Sequence, residues 1–267
     1  MLGAIIGDIA GSRFEASEAP APQAGFQLFV KDKDCGYTDD TITTVAIADA
    51  ILNHKSYQDS LLHWCHKYPH PVGAYGGKFQ DWLESAHPQP YGSYGNGSAM
   101  RVSPVGWLFN DYHEVLKEAK KSAECSHNSE EGINGAQCVA TLIYWLRTCR
   151  IRRDQIENAV KRNFGYSIPP LKDINRIGRT GHIDTTCNET VPWAIRCFLE
   201  SEDFEDAIRI AIMTDGDTDT KADITGAIAE AYYQVPEELA GKAFSYLPED
   251  MLNIVEQFCT TIQNFVV

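Results

Sequence analysis

Apolar positions recur at helical spacing from the first residues of this chain. Leu2, Ile5, Ile6 and Ile9 share one face of a predicted helix over residues 2–12, while Gly3, Gly7 and Gly11 form a line of small residues every four positions. Such a line lets a second helix approach closely. Ile42, Val45, Ala46, Asp49 and Ala50 keep the period in a helix that runs to about Asn53, and Ser56 stands where the next helix needs a cap. Ser98 reads as the N-cap of a helix that follows a glycine-rich turn, and Gly132 and Gly135 open the apolar run AQCVATLIYWL. The segments WAIRCFLE, 203–213 and the stretch after Thr214 carry further helical patterns. Pro236 suits the first position of another helix, and residues 249–265 form the last one. Sustained alternation with a period of two, bounded by hairpin turns, is missing. The pattern therefore predicts an all-α fold: a single-domain orthogonal helical bundle over residues 1–267.

Composition narrows the functional classes. A chain of 267 residues can bury one substantial core, and its 43% hydrophobic and 22% charged content is that of an ordinary globular protein. The formal net charge of −14 argues against general binding of nucleic acid, although a local pocket for one pyrophosphate remains compatible with it. The 8 cysteines include no C-x-x-C pair and read as reduced core thiols of a cytoplasmic protein. No signal peptide or membrane span is expected, because the apolar start is short and lacks basic residues.

The chemistry concentrates in Thr214–Tyr233, TDGDTDTKADITGAIAEAYY, where Asp215, Asp217 and Asp219 alternate before an apolar helix. A calcium loop counted from Asp215 fails, since its sixth position is Thr220 rather than Gly and its twelfth is Gly226 rather than Glu. Helix capping accounts for one or two of these groups but not for all. Residues 38–41, Thr38-Asp39-Asp40-Thr41, make a second acid–hydroxyl cluster, also opening a helix. Carboxylates from two distant segments suit hard divalent cations, which prefer oxygen ligands and can be bridged as a pair. A helix N-terminus repels cations, so several aspartates are needed to outweigh it.

Other stretches carry weaker signals. His63, His66 and His70 with Cys65 form a poor soft-metal site, because Pro69 breaks the register, and a polar helix face is the better reading. Residues 91–101, YGSYGNGSAMR, lack the preceding strand and spacing of a dinucleotide fingerprint, yet a glycine-rich turn can offer amides to a diphosphate. The basic residues Arg150, Arg152, Arg153, Lys161 and Arg162 read as a solvated face. Residues 16–36 read as a long loop, of the kind that often gates a site.

Together YTDDT, YGNGSAMR and DGDTDT, in that order, resemble the motifs of the ADP-ribosylglycohydrolase family, and the resemblance spans nearly the whole chain. It implies hydrolysis of the bond between ADP-ribose and an acceptor side chain or small conjugate. Thr38, Asp39, Asp40, Asp217, Asp219 and Thr220 would hold two divalent cations, Mg²⁺ or Mn²⁺, in a binuclear metal centre at helix N-termini. Glu15 matches the family's proposed general acid/base, although residues alone favour a surface glutamate there. By resemblance to the ADP-ribosyl-serine hydrolase branch, Ser93, Gly95 and Asn96 would line the diphosphate and ribose, Tyr94 would stack on adenine, and His127 would contact ADP-ribose. One departure is Asp215-Gly216 where the family usually has Gly-Gly, which adds a carboxylate beside the cluster and leaves metal affinity and substrate open. The competing readings are a non-catalytic ADP-ribose-binding or crystallin-like structural member, and a bimetal phosphoesterase. The retained acids argue against the first, and the absence of flanking histidines argues against the second.

Overall fold

The computed structural model describes residues 1–15, 25–31, 35–177 and 184–264. In chain order the α-helices are α1 (Leu2–Ser12), α2 (Asp39–Leu52), α3 (Tyr57–Lys67), α4 (Gly77–Glu84), α5 (Gly97–Met100), α6 (Ser103–Leu108), α7 (Tyr112–Glu124) and α8 (Glu130–Arg147). They continue as α9 (Ile156–Phe164), α10 (Leu171–Ile177), α11 (Cys187–Glu200), α12 (Phe204–Met213), α13 (Thr218–Glu230), α14 (Glu237–Phe244) and α15 (Glu249–Gln263). The described residues contain no strand, only one isolated antiparallel bridge between Gly95 and Thr186. None of the described helices is long and apolar enough to cross a membrane. The gate expected over residues 16–36 falls largely outside the described residues, as does the start of the segment leading into α11.

Two helices form the centre. The sequence predicts one apolar face for α1, but every residue from Gly3 to Ser12 is buried, and α13 is buried along its whole length. Their contact is antiparallel and backbone-close. A Cβ on Gly3 would lie 2.0 Å from the Gly226 carbonyl oxygen, one on Gly7 2.0 Å from that of Ala222, and one on Gly11 2.7 Å from Asp219 Cα. The glycine line is thus a requirement of packing, since no side chain fits between the helices. At one end of the pair Gly3 N–H donates to Glu230 Oε2 at 2.9 Å, beside the Met1 ammonium at 2.6 Å.

Elsewhere the helix starts follow capping rules. Thr38, Ser56, Ser129, Thr186 and Asp203 each accept a backbone N–H at the start of α2, α3, α8, α11 and α12. Ser98 does not. Asn96 is the N-cap of α5, and the Ser98 hydroxyl instead donates to the Gly132 carbonyl at 2.7 Å, tying α5 to α8. Pro236 is likewise an N-cap, one position earlier than predicted. Arg153 is not part of a solvated face: its guanidinium donates to the carbonyls of Phe198 and Leu199, both at 2.8 Å, at the end of α11, where a cation satisfies free carbonyls and suits the helix dipole. Arg150, Arg152, Lys161 and Arg162 are exposed as predicted. All the cysteines are free, and most are buried, although Cys149 is exposed.

Candidate functional site

The antiparallel pairing of α1 and α13 decides where the acids meet. It carries the chain just after α1, with Glu15, to the start of α13, with Asp217 as its N-cap residue and Asp219 in its first turn. Carboxylate oxygens of Glu15, Asp217 and Asp219 all lie within 4.8 Å of one another. Hard divalent cations take oxygens at roughly 2.0–2.6 Å, so ligands on opposite sides of one ion stand at about this separation. The start of α2 adds Asp39 and Asp40, and both line the same cavity of about 390 Å³. Thr220 links the two clusters, its hydroxyl 3.4 Å from Asp40 Oδ1 and its N–H 2.9 Å from Asp219 Oδ1. Among the described residues no histidine or cysteine joins a metal-ligating group, and His66 bonds the Leu83 carbonyl instead.

These acids are poorly neutralised. Asp40 is 1% exposed, and its Oδ2 is buried with no hydrogen-bond partner among the described residues. Burial, reinforced by Asp219, Asp223 and Asp8, pushes its carboxyl well above the usual range. Asp219 rises for the same reason, with Asp217 and Glu15 as its nearest like charges, and Asp39 rises with Asp8, Glu15 and Asp217 around it. Glu15 is pushed up to about 7, first by burial and then by Asp217 and Asp8. A cluster of this kind is stable as carboxylates only with cations beside it, so the donor set fits hard divalent ions.

Two further aspartates stand behind the cavity, and sequence reasoning did not give them a place in the site. Asp8, in the middle of α1, accepts from Thr38 N and Oγ1 and from the N–H and hydroxyl of Thr41, which fastens α1 to the start of α2. Those bonds oppose the burial that raises Asp8 to about 6. Asp223 is fully buried, and neither of its carboxylate oxygens has a partner among the described residues. Its place between Ala222 and Ile224 on the helix that follows the acidic cluster was the available signal. The Thr38 hydroxyl donates to Asp8 at 2.7 Å and accepts from Asp40 N at 3.1 Å, which leaves one lone pair. Asp215 is not among the described residues that line the cavity, and its carbonyl accepts from Lys221. Gly216 between them has φ of +101°, with the Trp193 ring 3.1 Å from where a Cβ would be, so this turn needs glycine.

The glycine-rich turn forms another part of the cavity wall. Asn96 joins it to the acids: its side-chain amide donates to Asp217 Oδ2 at 2.7 Å and to the Thr190 hydroxyl at 3.0 Å. Two of the turn's amides are taken internally, Gly95 N–H by Ser93 Oγ at 3.2 Å and Asn96 N–H by the Thr185 carbonyl at 2.7 Å. These two amides are therefore not open to a diphosphate. Ser93, Gly95, Asn96 and His127 line the cavity, whereas Tyr94 is 54% exposed and is not among the described lining residues. Gly132 and Gly135 admit the turn and α11: a Cβ on either would lie 2.7 Å from the Ser93 carbonyl oxygen or 2.5 Å from Cys187 Sγ. Gly73 presses on the other side, where a Cβ would stand 2.5 Å from Glu15 Oε2.

Comparison with known proteins points to one family. The chain is 27% identical, over an alignment 328 positions long, to ADP-ribosylhydrolase ARH3 of Homo sapiens, covering 94% of this chain and 90% of that protein. The Mus musculus ARH3 is 26% identical, with coverage of 94% and 88%. ADP-ribosylarginine hydrolase Tri1 of Pseudomonas putida (strain GB-1) is 24% identical over 273 residues, with coverage of 88% and 70%. A solved structure described as an ADP-ribosylglycohydrolase-related protein complex shares the fold, with a TM-score of 0.68 at 21% identity over 98% of this chain and 97% of the other. The family description ADP-ribosylglycohydrolase matches residues 1–264, and the chain therefore belongs to the ADP-ribosylglycohydrolase family.

Proposed function

We propose that this protein is a divalent-cation-dependent hydrolase that releases ADP-ribose from an ADP-ribosylated acceptor, with O-glycosidic linkages among its substrates. The observation that carries the reading is the convergence of Glu15, Asp217 and Asp219 within 4.8 Å beside the unpartnered Oδ2 of Asp40. Family membership and the names of the relatives, ADP-ribosylhydrolase and ADP-ribosylarginine hydrolase, support the substrate class.

In this reading Asp39, Asp40, Asp217 and Asp219, with the hydroxyls of Thr38 and Thr220, hold two Mg²⁺ or Mn²⁺ ions. Bound cations would neutralise the acids, orient the ribose hydroxyls and polarise water or the leaving group. Asn96 orients Asp217 through its 2.7 Å hydrogen bond and carries the turn that lines the ADP-ribosyl group. Glu15 handles the proton. Its carboxyl, raised to about 7 among its neighbours, gives or takes a proton near neutrality, and cations beside it lower that value. Exposed Tyr94 offers an aromatic face for the adenine. Because most contacts then fall on ADP-ribose, several acceptors are tolerated. The O-linked ones leave most readily, since a carboxylate needs no proton and an alkoxide only one.

The test is a panel of ADP-ribosylated acceptors incubated with Mg²⁺ or Mn²⁺, with free ADP-ribose as the readout. Release from a serine-linked or O-acetyl conjugate is expected. Cleavage confined to ADP-ribosyl-arginine would remove the O-glycosidic part of the reading, and no release from any conjugate would remove the whole.

A further inference from the structure

Behind the glycine-rich turn lies a buried polar chain that the proposed chemistry does not use. Arg101 follows α5 and is 1% exposed, and its Nε has no hydrogen-bond partner among the described residues. Its Nη2 donates to the Ser122 carbonyl and to the Ser126 hydroxyl oxygen, both at 2.9 Å. That same hydroxyl stands 2.8 Å from Nδ1 of His127.

The direction of each bond follows from what each group can do. A guanidinium only donates, so the Ser126 oxygen accepts from Arg101. Ser126 is fully buried, and Nδ1 of His127 is the one acceptor within reach of its hydroxyl proton among the described residues. The hydroxyl therefore donates to Nδ1, which carries the lone pair, and the ring proton belongs on Nε2. The reverse arrangement leaves a buried hydroxyl proton unbonded. Burial and the Arg101 charge hold the imidazole well below its ordinary range, so the ring is neutral and keeps one proton only.

Nε2 looks toward the turn. A Cβ on Gly97 would lie 3.0 Å from it and one on Gly95 3.7 Å, and no described residue accepts a hydrogen bond from it. His127 and Arg101 both line the cavity. We propose that Arg101 and Ser126 are positioning residues that lock His127 as the Nε2–H tautomer, which makes it a hydrogen-bond donor to an oxygen of the bound ligand. The identity of that oxygen rests on the function proposed above, under which the ligand is ADP-ribose.

The test is nitrogen-15 NMR of the histidine side chains in the full-length protein near neutral pH, with and without ADP-ribose. The wild type should show His127 with a bare Nδ1 and a protonated Nε2. Ser126→Ala should give a mixture of tautomers and weaken ADP-ribose binding about 2- to 12-fold, the scale of one hydrogen bond. Ser126→Thr, which keeps the hydroxyl, should restore both. A merely structural role for Ser126 does not move the tautomer. An Nδ1–H or mixed His127 in the wild type overturns the proposal without any variant, as does Ser126→Ala with unchanged tautomer and affinity. Wild-type protein that shows the expected tautomer but does not bind ADP-ribose overturns the proposed function and the ligand named for Nε2, while the lock itself stands on the spectrum.

Discussion

The two parts of the cavity wall differ in how their polar groups are satisfied. On the glycine-rich side, Ser93, Asn96, Ser126 and His127 are held by hydrogen bonds to one another and to the α8 and α11 segments. On the acidic side, Asp40 Oδ2 and both oxygens of Asp223 lack partners among the described residues, and burial drives several carboxyls up. On the first side protein atoms satisfy most of the polar groups, leaving Arg101 Nε and His127 Nε2 without a partner among the described residues, whereas the second side carries buried like charges that divalent cations would offset. Under the proposed function the first side would recognise the ligand and the second would carry the chemistry.

The largest expected effect separates those roles directly. Glu15→Gln keeps the shape of the acidic side but removes its proton carrier, so turnover should fall by ~10²-fold or more while ADP-ribose binding is retained. Steady-state kinetics with a titration of ADP-ribose measures both, and near-normal turnover would return Glu15 to a structural role. Metal binding comes next. Mg²⁺ or Mn²⁺ at a hundred times its Kd should stabilise the fold by about 2.7 kcal/mol, and Asp217→Asn should lose most of that gain. Calorimetric melting with and without chelator decides it, and equal melting curves would mean that the acids do not hold cations.

Tyr94→Ala probes the recognition side. It should weaken ADP-ribose binding by ~1–3 kcal/mol, the scale of an aromatic–base stack, without changing the stabilisation by metal. Unchanged affinity in that variant removes Tyr94 from the ligand. A pH slope is also expected. A carboxyl whose pKa is higher in the folded chain binds its proton more tightly there, so it favours folding at low pH and loses that advantage as pH rises. For Asp8 the window runs from the ordinary 3.8 to about 6, and for Glu15 from 4.5 to about 7. The chelated protein should therefore become less stable across that window, and saturating cation should flatten or reverse the slope. A chelated protein whose stability rises steadily from pH 4 to 7 would contradict the proton bookkeeping.

Much of this arrangement was legible because it is local. Acid–hydroxyl clusters at helix starts, the glycine line of α1 and the cap Ser56 are all written within a few residues of sequence. What stayed hidden depends on tertiary pairing. Ser98 looks like a cap until the Gly132 carbonyl approaches it, and Arg153 looks solvated until the end of α11 is beside it. Asp8 reaches the acidic cluster through its bonds to Thr38 and Thr41 at the start of α2, and Asp223 through the packing of α13 against α1, and no spacing within either helix reveals that. The internal use of the Gly95 and Asn96 amides likewise depends on Ser93 and on Thr185, which is far away in sequence.

The most direct test of the central claim is release of ADP-ribose from a serine-linked or O-acetyl conjugate, measured with Mg²⁺ or Mn²⁺, after chelation, and after the cation is restored. The account predicts turnover that stops with chelator and returns with the cation. Turnover that continues unchanged in excess chelator, or no release under any of these conditions, would contradict it.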